Sequence, residues 1–180
     1  YLSASKAIEK FRDKSLSPVE LLTETIKRTE EVNPKINAFN FFRFDEALEE
    51  ARKSESKYIK GDASLPLEGI PLAIKDEVNV KGQPNKNGSL IFENTIAEST
   101  DIDVESLVNS GAIIHARATN PEFSLTSFCH SRVNGITRNP WNLDMTPGGS
   151  SGGSAAALAA GCATLATGSD IGGSIHIPAG

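Results

Sequence analysis

Apolar side chains recur at helical spacing through the front of the chain. Ala4, Ala7, Ile8 and Phe11 mark one face, and Val19, Leu22 and Ile26 mark another. Between them, Ser17-Pro18-Val19-Glu20 combines an N-cap serine, a proline at the first helical position and a glutamate at the third. That is a capping box, and it predicts where the second helix begins. Asn33-Pro34 predicts where it stops, because the residue before a proline avoids the helical region. A third helix is predicted over Asp45 to Tyr58, with Ala47, Leu48 and Ala51 inward and its Glu, Arg and Lys side chains forming a solvated outer face.

The period changes at Gly69. Ile70-Pro71-Leu72-Ala73-Ile74-Lys75 is a short apolar run ending in a charge, and Ala112-Ile113-Ile114-His115-Ala116 is a second such run. Both read as buried strands. Asp101 to Ser110, between them, reads as a helix stopped by Gly111. Strand, helix and strand in this order predict a crossover unit. The expected fold is therefore α/β, a central, largely parallel β-sheet covered by helices, preceded by an N-terminal helical region.

Composition changes this picture in two ways. The formal net charge of -5 argues against nucleic acid or an anionic membrane surface as a nonspecific partner. Two cysteines, Cys129 and Cys162, are too few for a disulfide-framed module and lack the spacing of a zinc site, which favours reduced thiols and a cytoplasmic setting. No apolar run has the ~18 residues of a membrane helix. Charge is also unevenly spread. More than half of the charged residues lie in positions 1–60, whereas positions 148–180 hold only Asp170 and most of the glycines. The chemistry is expected in this neutral, small-residue end.

There, Pro147-Gly148-Gly149-Ser150-Ser151-Gly152-Gly153-Ser154 runs into Ala155-Ala156-Ala157-Leu158-Ala159-Ala160, a strong helix former. A glycine loop on a helix N-terminus gathers unpaired N–H groups that suit a phosphate or an oxyanion. The Gly-Lys-Ser/Thr ending of a P-loop is missing and the dinucleotide fingerprint does not fit. A second cluster, Gly168-Ser169-Asp170-Ile171-Gly172-Gly173-Ser174, could turn consecutive N–H groups toward a substrate carbonyl. A serine nucleophile needs a base. The candidates are His115, His130, His176 and Lys75, the last at a strand end where desolvation disfavours its ammonium form. Gly149-Ser150-Ser151-Gly152-Gly153 also fits the G-x-S-x-G elbow, with Ser151 as nucleophile, but that elbow follows a strand and Asn142 to Pro147 reads as loop. Ser3-Ala4-Ser5-Lys6 fits S-x-x-K at an exposed helix start, and Asn87-Gly88-Ser89 is a formal glycosylation sequon that reads as a turn.

Four segments together resemble the amidase signature family: Gly69 to Asp76, Thr137-Arg138-Asn139-Pro140-Trp141-Asn142, Pro147 to Gly153, and Gly168 to Pro178. The resemblance implies a mixed sheet and hydrolysis of carboxylic amides by a Ser-Ser-Lys triad, without metal or organic cofactor. By position, Ser174 matches the acylated nucleophile, Ser150 the bridging serine that follows a cis peptide bond, and Lys75 the base. The oxyanion hole falls on the N–H groups of Ile171, Gly172, Gly173 and Ser174, beside Ser150. Ser151 and Asp170 support these loops, and Leu125 and His130, with Cys129 between them, are candidates for the acyl pocket. His176 departs from the pattern, since the family commonly has arginine there. Asn120-Pro121-Glu122-Phe123 and Ile171 look more like general amidases than the A subunit of a glutamyl-tRNA(Gln) amidotransferase, which is the alternative.

As partners the resemblance leads us to expect a small-molecule amide and a second copy of the chain in a homodimer, with nucleic acid only if the chain serves an amidotransferase. Family members are much longer, with a sheet that continues past the nucleophile. Residues 1–60 are accordingly expected to form a helical region packed on the core, and residues 61–180 the first part of the amidase signature core, incomplete without further C-terminal residues. The chain opens on Tyr1 rather than Met, so an upstream segment stays open too.

Overall fold

The computed structural model describes residues 2–180. Helix α1 (Ala4–Arg12) starts at Ser3, whose hydroxyl accepts the Lys6 N–H. Helix α2 (Pro18–Ile36) starts at the expected capping box, where Ser17 Oγ accepts the Glu20 N–H at 3.1 Å and Glu20 Oε2 accepts the Ser17 N–H at 2.8 Å. It does not stop at Asn33. Pro34 sits in its last turn, and the stop falls at Asn37 with φ 50°. Asn33 makes this ending work, because its side-chain oxygen accepts the N–H groups of Ala38 and Phe39 at 2.8 and 3.0 Å. Helix α3 (Phe44–Lys60) lies close to its predicted span.

Between α2 and α3 the sequence folds as a strand, β1 (Phe39–Phe42), so the front of the chain is not purely helical and supplies one edge of the sheet. The sheet order is β1-β3-β2-β6, with β2 at Pro71–Lys75, β3 at Ile113–Ala118 and β6 at Leu165–Ala166. β2 runs parallel to both β3 and β6, and β1 is antiparallel to β3. Helix α4 (Ile102–Asn109) lies in the crossover from β2 to β3, and α5 (Gly152–Ala160) lies in the connection from β3 to β6. The expected mixed, largely parallel sheet with helices is what the chain forms. A two-residue hairpin, β4 (His130–Ser131) with β5 (Gly135–Ile136), and a short terminal helix, α6 (His176–Ala179), complete it.

Each face of the sheet has its own core. Leu72, Ile74 and Ile114 pack with Val104 of α4 on one side. Ala73, Ala116 and Ala118 pack with Ala156, Ala157 and Ala160 of α5 on the other. Leu72 pairs with Ile114 but Ala73 pairs with Ala116, so β3 carries an extra residue at His115. This bulge switches the face of the following side chains and brings Ala116 and Ala118 onto the α5 side. Small residues on all three elements let α5 approach closely. The approach is tightest at Gly153, where an added Cβ would lie 2.4 Å from the Thr119 carbonyl oxygen.

Gly153→Ala is therefore expected to push α5 off the end of β3 and to destabilise the full-length protein by about 1–3 kcal/mol, as overpacking does. A denaturant melt checks this, and an unchanged midpoint would mean that the helix and the strand end have room to spare.

Candidate active site

Lys75 is the last residue of β2 and shares the α5 side of the sheet with Ala73, two positions earlier. Ligand sites of parallel sheets lie at such carboxyl ends. Its backbone is fixed by the loop after β6: the Lys75 N–H donates to Thr167 Oγ1 at 2.9 Å, and the Thr167 N–H donates to the Ala73 carbonyl at 3.0 Å. The side chain is fully buried (0% exposed). Nζ meets three oxygens there, Ser150 Oγ at 2.8 Å, Ser169 Oγ at 2.8 Å and Glu77 Oε1 at 3.1 Å. Burial pushes the Lys75 pKa down, and the Glu77 carboxylate opposes that shift without cancelling it.

Ser150 is placed by the glycine loop. Gly148 has φ +81°, the Gly149–Ser150 peptide bond is cis, and α5 begins two residues after Ser150. Gly149 is held against the Thr126 and Phe128 backbone, where an added Cβ would lie 2.9 Å from atoms of both. Ser151 ties this turn to the second serine loop. Its N–H donates to the Ser174 carbonyl at 3.1 Å, and its hydroxyl accepts the Ser169 N–H at 3.3 Å. Ser154 adds a bond to the Thr167 carbonyl at 2.7 Å.

Asp170 organises the loop that carries Ser174. Its carboxylate accepts the N–H groups of Gly173, Ile175 and His176 at 2.6, 2.7 and 3.0 Å, and faces His176 Nδ1 at 2.8 Å. The His176 and Ile175 N–H groups, with the imidazole, hold the Asp170 carboxyl well below the usual carboxylate range. The Gly173 N–H donates to Asp170, whereas those of Ile171, Gly172 and Ser174 donate to no acceptor among the described residues.

Ser150 and Ser174 line one cleft of 610 Å³, with Glu77, Ser169, Ile171, Gly172 and Leu125 also on its wall. Lys75 and Ser150 are in direct contact. No hydrogen bond joins Ser174 Oγ to Ser150 Oγ among the described residues, and the two share the cleft without touching in this way. Leu125 lies on the wall. His130 does not: it sits in the β4–β5 hairpin with its ring 4.5 Å from that of Phe128. Cys129 is packed beneath Gly152 with its thiol toward Thr119 and Thr137. Neither remaining histidine reaches a cleft serine, since His176 faces Asp170 and His115 is buried against the Cys162 carbonyl with its pKa lowered by burial to about 4.

Three polar residues of the site lie outside the sequence expectation: Glu77, Ser124 and Ser169. Glu77 lies two positions after Lys75 in a turn closed by the Val78 N–H on the Lys75 carbonyl, and its closeness in sequence is the only local signal for it. Ser124 donates to Glu77 Oε2 from the turn after β3. Burial alone would raise the Glu77 pKa, but hydrogen bonds from Ser124 and Ser169, with Lys75 beside it, bring it below the ordinary value. Among the described residues no three His, Cys, Asp or Glu side chains gather to hold a metal ion, and no helix is long and apolar enough to cross a membrane.

Comparison with known proteins identifies the family. The A subunit of glutamyl-tRNA(Gln) amidotransferase from Methylacidiphilum infernorum is 45% identical over 166 residues, 92% of this chain and 32% of that protein. Indoleacetamide hydrolase of Bradyrhizobium diazoefficiens is 39% identical over 98% of this chain and 34% of its own length. The chain thus spans about a third of the length of the curated relatives it matches. Among solved structures, a bacterial aryl acylamidase of the amidase signature family superposes with a TM-score of 0.92 at 31% identity, covering 98% of this chain and 37% of that one. A peptide amidase in complex with the competitive inhibitor chymostatin does so with a TM-score of 0.91 at 28% identity, covering 98% of this chain and 38% of that one. The family model described as Amidase matches residues 20–180, and the chain belongs to the amidase family.

Proposed function

We propose that this chain carries the catalytic centre of a Ser-Ser-Lys amidase that converts a carboxylic amide to an acid and ammonia or an amine. The observation that carries the reading is the buried Lys75 Nζ at 2.8 Å from Ser150 Oγ, at the edge of the cleft that Ser174 also lines. Burial disfavours the ammonium form, so Lys75 is better suited to accept a proton than an exposed lysine.

Ser174 Oγ attacks the amide carbonyl carbon and passes its proton to Ser150, whose own proton goes to Lys75 Nζ. The free N–H groups of Ile171, Gly172 and Ser174 are suited to hold the oxyanion. As the tetrahedral intermediate collapses, the C–N bond breaks and Ser150 returns a proton to the departing nitrogen, leaving an ester on Ser174. Water, deprotonated through the same relay, then releases the acid and restores Ser174. Ser151 and Asp170 act by holding the two serine loops in register.

The second reading is release of ammonia from glutamine as the A subunit of a glutamyl-tRNA(Gln) amidotransferase. The names of the relatives at 45% and 42% identity support it. The Asn120-Pro121-Glu122-Phe123 run and Ile171 support the general amidase instead, as does the 39% identical indoleacetamide hydrolase. Turnover of glutamine, with co-purification of further subunits, separates the two from turnover of aryl or aliphatic amides by the protein alone.

In the full-length protein, Ser174→Ala and Lys75→Ala are each expected to reduce amide hydrolysis to background, and a fluorophosphonate probe is expected to label Ser174, located by mass spectrometry of the intact protein. Normal turnover by Ser174→Ala would refute the assignment. Ser151→Ala removes one loop tether and leaves the Lys75–Ser150 contact in place, so it is expected to keep a measurable fraction of the rate. Activity as low as that of Ser174→Ala would give Ser151 a part in the chemistry.

A further inference from the structure

The three oxygens around Lys75 Nζ differ in what they can do. Ser150 and Ser169 are hydroxyls and can donate or accept, but an ionised carboxylate such as Glu77 can only accept. An ammonium has three N–H groups and satisfies all three partners as a donor. A free amine has two N–H groups and one lone pair, so one contact must reverse and donate into the lone pair. Glu77 cannot be that contact. The Ser124 hydroxyl donates to the other Glu77 oxygen, which confirms that carboxylate as an acceptor. Ser150 and Ser169 are the two partners left to donate.

We propose that Glu77 is a positioning residue that orients proton transfer in the site, taking one Lys75 N–H so that the lone pair of free-base Lys75 is turned to the serine hydroxyls, Ser150 among them. This rests on the Ser-Ser-Lys reading. It adds a fourth member that no part of that triad requires, because a lysine and two serines can exchange a proton in either sense unless something outside them sets the polarity. Ser124 holds the carboxylate from the far side, so Glu77 is anchored on one oxygen while the other meets Lys75.

Glu77 also has an electrostatic effect. As Lys75 takes the proton from Ser150, an ammonium forms 3.1 Å from an existing carboxylate, and that attraction grows along the reaction coordinate. The same charge favours the ammonium in the resting enzyme and so moves the acid limb of activity upward. The other titratable groups that act on Lys75 are Cys129, beneath α5, and Asp170 in the nucleophile loop; both act in the same sense as Glu77, and neither hydrogen-bonds Nζ. Asp76, the residue between Lys75 and Glu77, turns away toward Asn40 and Arg117.

The test is fluorophosphonate labelling of Ser174 against pH, with amide turnover in parallel, in full-length wild type and Glu77→Gln. That substitution keeps the side-chain volume, removes the charge and introduces an amide donor that can itself face the Lys75 lone pair. The expected result is an acid limb at lower pH together with a plateau rate lower by about tenfold to a hundredfold, the cost of losing alignment. A merely structural role lowers yield or melting temperature and leaves the limb where it was. Labelling of Ser174 in both proteins with coincident limbs would therefore overturn the role of Glu77 and leave the triad standing. No labelling of Ser174 in wild type would overturn the triad and this inference together. Should Glu77→Gln not fold, Glu77→Asp carries the test, because its carboxylate retreats by one methylene; a smaller limb shift in the same direction supports the proposal, and wild-type limb and rate overturn it.

Discussion

A lysine ammonium with no exposure to water must find its partners within the protein, and the active end of this chain is arranged to provide them. Lys75 draws one oxygen from each of three separate segments: Ser150 at the start of α5, Ser169 after β6, and Glu77 just beyond its own strand. Leaving such a charge unpaired in the interior costs several kcal/mol, so the three segments are held together by the group they surround. The burial that makes the lysine costly also lowers its hold on the proton. Chemistry and stability thus place opposite demands on one side chain, and the surrounding oxygens decide the balance.

The fold meets that demand through close approach. Alanines on β2, β3 and α5 let helix and sheet lie near one another, and Gly153 lets the first turn of α5 meet the Thr119 backbone. The bulge at His115 puts the right faces of β3 and β2 together. Ser151, Ser154 and Thr167 then cross-link the two loops and the strand end by short hydrogen bonds. The geometry around Nζ is therefore inherited from backbone packing, and none of the three loops could shift without breaking bonds to the other two.

Much of this is legible in the order of residues. Period and capping reveal α1, α2 and α3, and the apolar runs reveal β2 and β3. The resemblance of four spaced motifs singles out Lys75, Ser150 and Ser174 from the sequence alone. What escapes has no local signal. β1 is an aromatic run with no alternation that becomes a strand because β3 offers it an edge, and β6 is two residues long. The end of α2 escapes because the helix runs through Pro34 to Ile36 and an asparagine side chain accepts the N–H groups just past its end. Neighbours in sequence place His130 near the pocket, whereas a hairpin carries it outside the cleft. The loss of the Gly173 amide to Asp170 depends on a turn whose hydrogen bonds only three dimensions reveal.

The neighbourhood of Lys75 also bears on why a carboxylate belongs in a site whose proposed base is a lysine. A carboxylate beside a lysine favours the ammonium, and to that extent it opposes catalysis. A base that is too weak, however, accepts its proton late and stabilises little charge in the transition state, and the best catalytic pKa lies near the working pH. Burial carries the lysine pKa downward. Glu77 pulls in the opposite direction, and the hydroxyls of Ser124 and Ser169 keep it ionised so that the pull persists. The pair stores no net charge when Lys75 is protonated and one negative charge when it is free. In the proposed mechanism the charge separated by the attack of Ser174 is divided between an oxyanion facing backbone N–H groups and an ammonium facing a carboxylate. Each developing charge meets its counterpart already in place, and the site has little left to reorganise as the reaction proceeds.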